Sequence, residues 1–244
     1  MYSWYNKNKK SGVIMVKIMI IEDDKLISKE LKELLENSGY EVEILEDFNN
    51  SLNEILKYSP NLILLDINIP YENGELLLQN LRKKSNIPVI MVTSKNSEID
   101  EALSISYGAD DYITKPYNPN ILLLRIGAVL KRTRENYFAN SQELTYKNLI
   151  FDTQKGTIKK DNIELILTKN EMIIFSYLLT HQNKIVTRDE LMTTLWDNTE
   201  FVNDNALTVN ISRLRSKLKE VGLEDAIDTR KGQGYILSWN LLII

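Results

Sequence analysis

The chain has 244 residues, 43% of them hydrophobic and 26% charged, a composition that suits two globular domains of roughly 100–130 residues each. It contains no cysteine and one histidine, which excludes disulfides, thiol nucleophiles, zinc-thiolate sites and multi-histidine metal centres. The formal net charge of −4 speaks against polyanion binding by the molecule as a whole and confines any nucleic-acid site to a local basic patch.

Residues 1–14 are polar and lysine-bearing and have no visible place in a fold, so they are expected to form a disordered extension without assigned function. No apolar run reaches the roughly 18 residues needed to span a bilayer, so a soluble, cytoplasmic protein with no membrane partner is expected. From residue 15 to 131, short apolar runs alternate with longer amphipathic stretches. Strands are predicted at Lys17–Ile21, Glu41–Leu45, Asn61–Leu65, Val89–Val92 and Asp111–Ile113. Between the first two, Leu26, Ile27, Leu31, Leu34 and Leu35 recur at helical spacing until Gly39 stops the helix. The pattern is (βα)5: a flavodoxin-like, doubly wound parallel sheet with helices on both faces.

Residues 132–143 are polar and aperiodic and read as a linker. From 144 to 244 the grammar changes. Short strands at Leu149–Phe151, Thr157–Lys159 and Ile163–Ile166, with Gly156 at a turn, give way to helices at 168–181, 187–196 and 204–220. A hairpin around Gly232 and Gly234 closes the chain, giving an α+β winged helix-turn-helix. The single histidine, His181, falls at a helix end and reads as a surface residue.

In open parallel sheets, active groups gather at the carboxyl ends of the strands. There this sequence places Glu22, Asp23 and Asp24, then Asp66, then Thr93 and Ser94, then Lys115 followed by Pro116. Asp24 precedes a helix and serves equally as its N-cap. Crowded carboxylates need a hard cation, for which Mg2+ is the natural choice, and a lysine with a hydroxyl supplies what a carboxyl phosphate would require.

The segments Ile20-Ile21-Glu22-Asp23-Asp24, Leu64-Leu65-Asp66, Val92-Thr93-Ser94-Lys95 and Gly108 through Pro116 resemble receiver domains of the OmpR/PhoB response regulators. The resemblance implies that Asp66 is the phosphoacceptor and that Glu22, Asp23, Asp66 and the backbone carbonyl of Asn68 hold Mg2+. It also implies that Thr93 and Lys115 hold the phosphoryl oxygens, that Tyr112 is the aromatic that changes rotamer, and that the Lys115-Pro116 bond is cis. Haloacid-dehalogenase-like phosphatases also form aspartyl phosphates, but they carry a second aspartate where this chain has Asn68, so turnover of an outside substrate is not expected.

In Asn205–Lys219 there are four basic residues and no acidic one. As a helix, this segment lines Leu207, Ile211, Leu214 and Leu218 along one stripe. Val209, Ser212, Arg213 and Ser216 fall opposite, flanked by Thr208, Asn210, Arg215 and Lys217. Such a basic, small-polar face suits a DNA major groove, with Arg213 the first choice for base contact. The run Asp204 through Arg215, Leu167-Thr168 and Arg230-Lys231-Gly232-Gln233-Gly234-Tyr235 resemble the OmpR/PhoB output domain. By that resemblance 204–219 is the recognition helix, Arg230 and Lys231 sit on the wing, and the 196–203 loop touches RNA polymerase. Ser212 and Ile236 depart from frequent basic positions.

The resemblance further implies a separate sensor histidine kinase, promoter DNA as target, and a phosphorylation-promoted homodimer using Asp110, Asp111, Arg125 and Arg132. Glu101 and Ile121 depart from that interface's usual charges. Asp66-Ile67-Asn68-Ile69-Pro70 and Leu207-Thr208-Val209-Asn210 resemble the BceR/GraR branch, linked to cell-envelope-active peptides. A phosphorylation-independent DNA-binding regulator is the alternative, against which the intact Asp66 and Lys115 stand.

Overall fold

The computed structural model describes residues 15–95, 97–134, 143–195 and 204–238. The first domain is built from β1 (Lys17–Ile21), α1 (Lys25–Asn37), β2 (Glu41–Ile44), α2 (Ser51–Tyr58), β3 (Leu62–Leu65), α3 (Gly74–Arg82), β4 (Val89–Thr93), α4 (Glu98–Tyr107), β5 (Asp111–Thr114) and α5 (Pro119–Arg134). Its parallel sheet has the order β2-β1-β3-β4-β5. Side chains alternate across the sheet. Ile18, Ile20, Leu62, Leu64, Ile90 and Val92 share a cluster with Leu31 and Leu35 of α1 and with Leu122 and Ile126 of α5. Met19, Ile21, Ile63, Leu65 and Met91 face the other way, toward Ile55 of α2, Leu77 and Leu81 of α3 and Ile105 of α4.

Caps fix where the helices begin. Asp24 Oδ1 accepts from the amides of Leu26 and Ile27, so this acid is the N-cap of α1 rather than a member of the pocket. Ser97 caps α4 by accepting from the Asp100 amide. Gly39 takes φ 91° just past the end of α1, as its place in the sequence suggests.

The second domain opens on an antiparallel sheet β6-β7-β8-β9 (Glu143–Tyr146, Leu149–Asp152, Thr157–Lys160, Ile163–Ile166). Helices α6 (Lys169–Thr180), α7 (Arg188–Leu195) and α8 (Asp204–Glu220) follow, and β10 (Ile227–Arg230) and β11 (Gly234–Leu237) form the wing hairpin. A capping box of Thr168 and Glu171 starts α6. Strand β6 is an addition, since its first residue had been assigned to the linker. The stripe of α8 is as the spacing predicts: Leu207, Ile211, Leu214 and Leu218 are all buried. His181 ends α6 with its ring stacked on Tyr177.

The domains are in contact. α4 packs on α8, and one apolar cluster contains Leu65, Met91 and Ile105 together with Phe175, Leu207 and Leu214.

Candidate functional site

The carboxyl edge of the first sheet gathers the acids because β1 and β3 are neighbours and each runs directly into its acidic residue. Asp66 and Glu22 are both buried. Lys115, brought in from the end of β5 through a cis Lys115-Pro116 bond, places its ammonium between them, 2.6 Å from Asp66 Oδ2 and in contact with Glu22 Oε2. Asp66 Oδ1 also accepts from the Asn68 amide at 3.2 Å.

Burial, and to a smaller degree the neighbouring Asp66 charge, raises the Glu22 pKa against the pull of Lys115. Burial alone would lower the Lys115 pKa, but its hydrogen bonds and its attraction to Asp66 and Glu22 prevail and raise it. Thr93 is fully buried at the end of β4, and its Oγ1 accepts from the Lys95 amide. Tyr112 on β5 is buried, with its hydroxyl donating to the Lys95 carbonyl at 2.9 Å. Burial and then the carboxylates of Asp100 and Glu101 push the Tyr112 pKa upward, so this hydroxyl is a donor at neutral pH.

Asp23 is exposed and lines an open cleft with Asn68, Pro70, Tyr71 and Asn73. Among the described residues no three acidic or histidine side chains are gathered tightly enough to enclose an ion by themselves. The donor set nevertheless fits a cation that keeps several waters. Glu22 and Asp66 share one ammonium, which leaves negative charge in excess, and Asp23 with a carbonyl-bearing loop borders the open side. Gly74 packs beneath this loop: a Cβ there would lie 2.1 Å from the Asp66 carbonyl oxygen, so only glycine lets α3 start against the acidic strand end.

On α8, Thr208, Ser212 and Ser216 are exposed. Thr208 accepts from Arg188, a basic group of α7 that the sequence reading did not include and whose guanidinium also contacts the Tyr235 hydroxyl. Arg230 and Lys231 are exposed on the wing. Three other assigned residues are turned differently. Asn210 is fully buried and donates to the Ala206 carbonyl, so it does not face a groove here; its flank of the helix is covered by neighbouring structure. Arg215 donates to the Ile227 carbonyl and to Thr229, tying the helix to the wing. Lys217 donates to the Ile166 carbonyl and pairs with Glu171 at 2.6 Å.

Arg213, the residue favoured for base contact, lies 3.2 Å from Glu171 and donates across the domain boundary to the Ile105 carbonyl at 2.9 Å. Val209 is half-buried against the common apolar cluster. Glu171 is fully buried. Burial opposes its ionisation, but Arg213 and Lys217 outweigh this and lower its pKa.

Of the residues assigned to a dimer face, Asp111 pairs with Arg125 of its own chain at 2.6 Å. Asp110 is buried and pairs with Arg82 at 2.9 Å; the Arg132 side chain lies outside the described residues. The 196–203 loop lies outside them too, as do residues 1–14. Among the described residues no helix is long and apolar enough to cross a membrane.

A receiver sheet with a lysine-bridged aspartate, followed by a winged helix, defines a response regulator whose DNA-binding output is controlled by phosphorylation. Residues 18–127 match the response regulator receiver domain, and 162–237 match the C-terminal domain of transcriptional regulatory proteins. The response regulator GraR of Staphylococcus aureus strain MRSA252 is 37% identical over 221 residues, covering 91% of this chain and 99% of the relative. GraR of Staphylococcus saprophyticus is 37% identical over 219 residues, covering 90% and 98%. The chain belongs to the OmpR/PhoB family of response regulators, in its GraR-like branch. It is a two-component transcription factor and not an enzyme acting on outside substrates.

Two solved structures of RitR mutants match 91% of this chain and 98% of theirs, with TM-scores of 0.78 and 0.80 at 26% and 25% identity. Scores of that height over nine-tenths of the chain require both domains to superpose together, so their relative placement is shared.

Proposed function

We propose that Asp66 accepts a phosphoryl group from a sensor histidine kinase and that the modified chain binds promoter DNA through α8 and the wing. The observation that carries this reading is the Lys115 ammonium held 2.6 Å from a buried Asp66. In phosphotransfer one Asp66 oxygen bonds to phosphorus while the bond to the donor's imidazole nitrogen breaks, and that nitrogen keeps the electron pair and takes up a proton from water. Lys115 and the Thr93 hydroxyl then receive the phosphoryl oxygens. Receivers use Mg2+ generically, and here Glu22, Asp23, Asp66 and the Asn68 carbonyl would hold it. Bound there, it offsets the charge that three carboxylates and a phosphoryl group bring together.

The domain limits that accompany this reading are 15–131 and 144–244. Thr208, Ser212, Arg230 and Lys231 offer exposed groups to DNA, with Arg213 and Val209 joining when their flank is uncovered. The modified receivers pair through the α4–β5–α5 face, including Asp111 and Arg125, and bring two winged helices to half-sites about one DNA turn apart. RNA polymerase is the proposed partner of the 196–203 loop, and the signal is a cell-envelope or antimicrobial-peptide stress, by likeness to the branch.

Intact-protein mass after incubation with Mg2+ and a small acyl phosphate tests the acceptor. One phosphoryl adduct is expected on the native chain and none on Asp66→Asn. Absence of the adduct with both the acyl phosphate and the cognate kinase would favour the phosphorylation-independent regulator.

A further inference from the structure

The loop between β3 and α3 is pinned at its base. Asn68 pairs with Asn73 in an antiparallel bridge, the Gly74 amide donates to the Ile67 carbonyl at 2.9 Å, and Asn73 Oδ1 accepts from the Glu75 amide at 2.7 Å. Ile67 is buried and Ile69 packs against the apolar cluster, so the loop is anchored from below as well. Tyr71 stands between these anchors, directly after Pro70.

Packing does not account for Tyr71. Its φ is 66°, in the left-handed region that suits glycine or asparagine better than a bulky side chain. It is also 82% exposed, more than any other large hydrophobic residue among those described, and among the described residues no hydrogen bond or ring contact engages its side chain. A backbone held in an unfavourable conformation to present an aromatic ring to solvent points to a task for the ring.

The ring stands where the chemistry of Asp66 would use it. Tyr71 lines the same open cleft as Asp23 and Asn68, with a volume of about 540 Å³, and the Asn68 amide donates to Asp66 Oδ1. The other side of Asp66 is closed: Lys115 holds Oδ2 and also contacts the buried Glu22. A phosphodonor therefore reaches Asp66 through the cleft. In an in-line displacement the leaving nitrogen lies across phosphorus from the attacking oxygen, so the donor's ring trails outward over the cleft mouth. A flat ring there can stack, offset, on an aromatic side chain at roughly 4.5–7 Å between centroids.

We propose that Tyr71 is a donor-specificity residue: its ring stacks on the imidazole of an N-phosphorylated donor and holds the phosphorus in line with Asp66 Oδ1. Oδ1 bonds to phosphorus as the phosphorus–nitrogen bond breaks, and the leaving nitrogen keeps the electron pair and takes up a proton from water. A small acyl phosphate has no ring and gains nothing from the stack. This inference rests on the phosphorylation of Asp66 proposed above and names the donor class that the same site prefers.

Two small donors isolate the effect without a partner protein: N-phosphoimidazole and acetyl phosphate, each given with Mg2+ to the full-length chain while intact mass is followed over time. The quantity read is the ratio of the two initial rates. Tyr71→Asn removes the ring and leaves a residue that accepts the left-handed backbone. Tyr71→Gly, which takes this φ freely, is a second ring-free variant, and Tyr71→Phe keeps the ring without the hydroxyl. In both ring-free variants the ratio of phosphoimidazole to acetyl phosphate rates should fall about three- to tenfold, the range an aromatic pair supplies, while Tyr71→Phe keeps the native ratio. An unchanged ratio in the ring-free variants, whether both rates hold or both fall together, would overturn the stacking role and leave Asp66 as the acceptor. An equal loss in Tyr71→Phe would assign the effect to the hydroxyl and overturn it too. No adduct on the native chain from either donor would overturn the acceptor reading, and the donor preference with it.

Discussion

Arg82 and Asp110 form a buried ion pair 2.9 Å long, joining the end of α3 to the entrance of β5 beside the domain boundary. Arg82 also donates to the carbonyls of Gly108 and Ile87, and Asp110 accepts from the Val89 amide. Removing the arginine therefore takes the charged partner from a buried carboxylate and a donor from each of two carbonyls. Arg82→Ala should lower stability by about 3–5 kcal/mol, the range for breaking one side of a buried pair, in urea titrations read by tyrosine fluorescence. A loss under 1 kcal/mol would mean that water replaces the guanidinium freely.

Glu22 gives a prediction about metal. Its raised pKa means that its ionised form is disfavoured by the fold: below the ordinary value of 4.5 the penalty is absent, and it grows as pH rises through the folded value. Without metal, Glu22→Gln should therefore melt at a higher temperature than the native chain near pH 7. Mg2+ should then reverse the order, stabilising the native chain by about 2.7 kcal/mol at one hundred times its dissociation constant and the variant by less. Identical Mg2+ responses would remove Glu22 from the site.

Glu171 behaves in the opposite sense. Its folded pKa lies below 4.5, so its contribution is fully present above that value and is lost as pH falls toward the folded pKa. Melting temperatures measured as pH falls through 4.5 and below it should drop more steeply for the native chain than for Glu171→Gln, which starts lower and changes less. Parallel curves would show that Arg213 and Lys217 gain nothing from the carboxylate.

Ser212 is exposed on α8, on the face opposite the buried leucine stripe. Ser212→Arg should add one phosphate or base contact. Titrations of duplex DNA at several salt concentrations should show tighter binding and a log-log slope steeper by about 0.9. An unchanged slope would mean that this face does not meet DNA.

Much of this was legible because the receiver strands are apolar on both faces and each runs into its functional residue, as Leu65 does into Asp66. Strand β6 was not, since Leu144 and Tyr146 give only two alternating positions after a polar linker. Asn210 was read as groove-facing because a polar residue beside a helical stripe is usually solvated. Its burial comes from structure outside α8, on which the period of α8 carries no information. Arg82 resembled an ordinary basic residue in a helix's last turn, and Glu171 an ordinary capping-box acid. Their partners lie 28 and 42 or more residues away, beyond the reach of local pattern.

The apolar cluster runs without a break from Met91 and Ile105 of the receiver to Leu207 and Leu214 of the winged helix. Heating the closed chain should thus melt both domains in one calorimetric transition, with van't Hoff and calorimetric enthalpies in agreement. Substitutions that break the α4–α8 contact should leave two independent cooperative units in the same 244 residues, and the single peak should divide. The boundary between the domains is thus a matter of cooperativity, and one side chain at that contact can decide whether the chain unfolds as one body or as two.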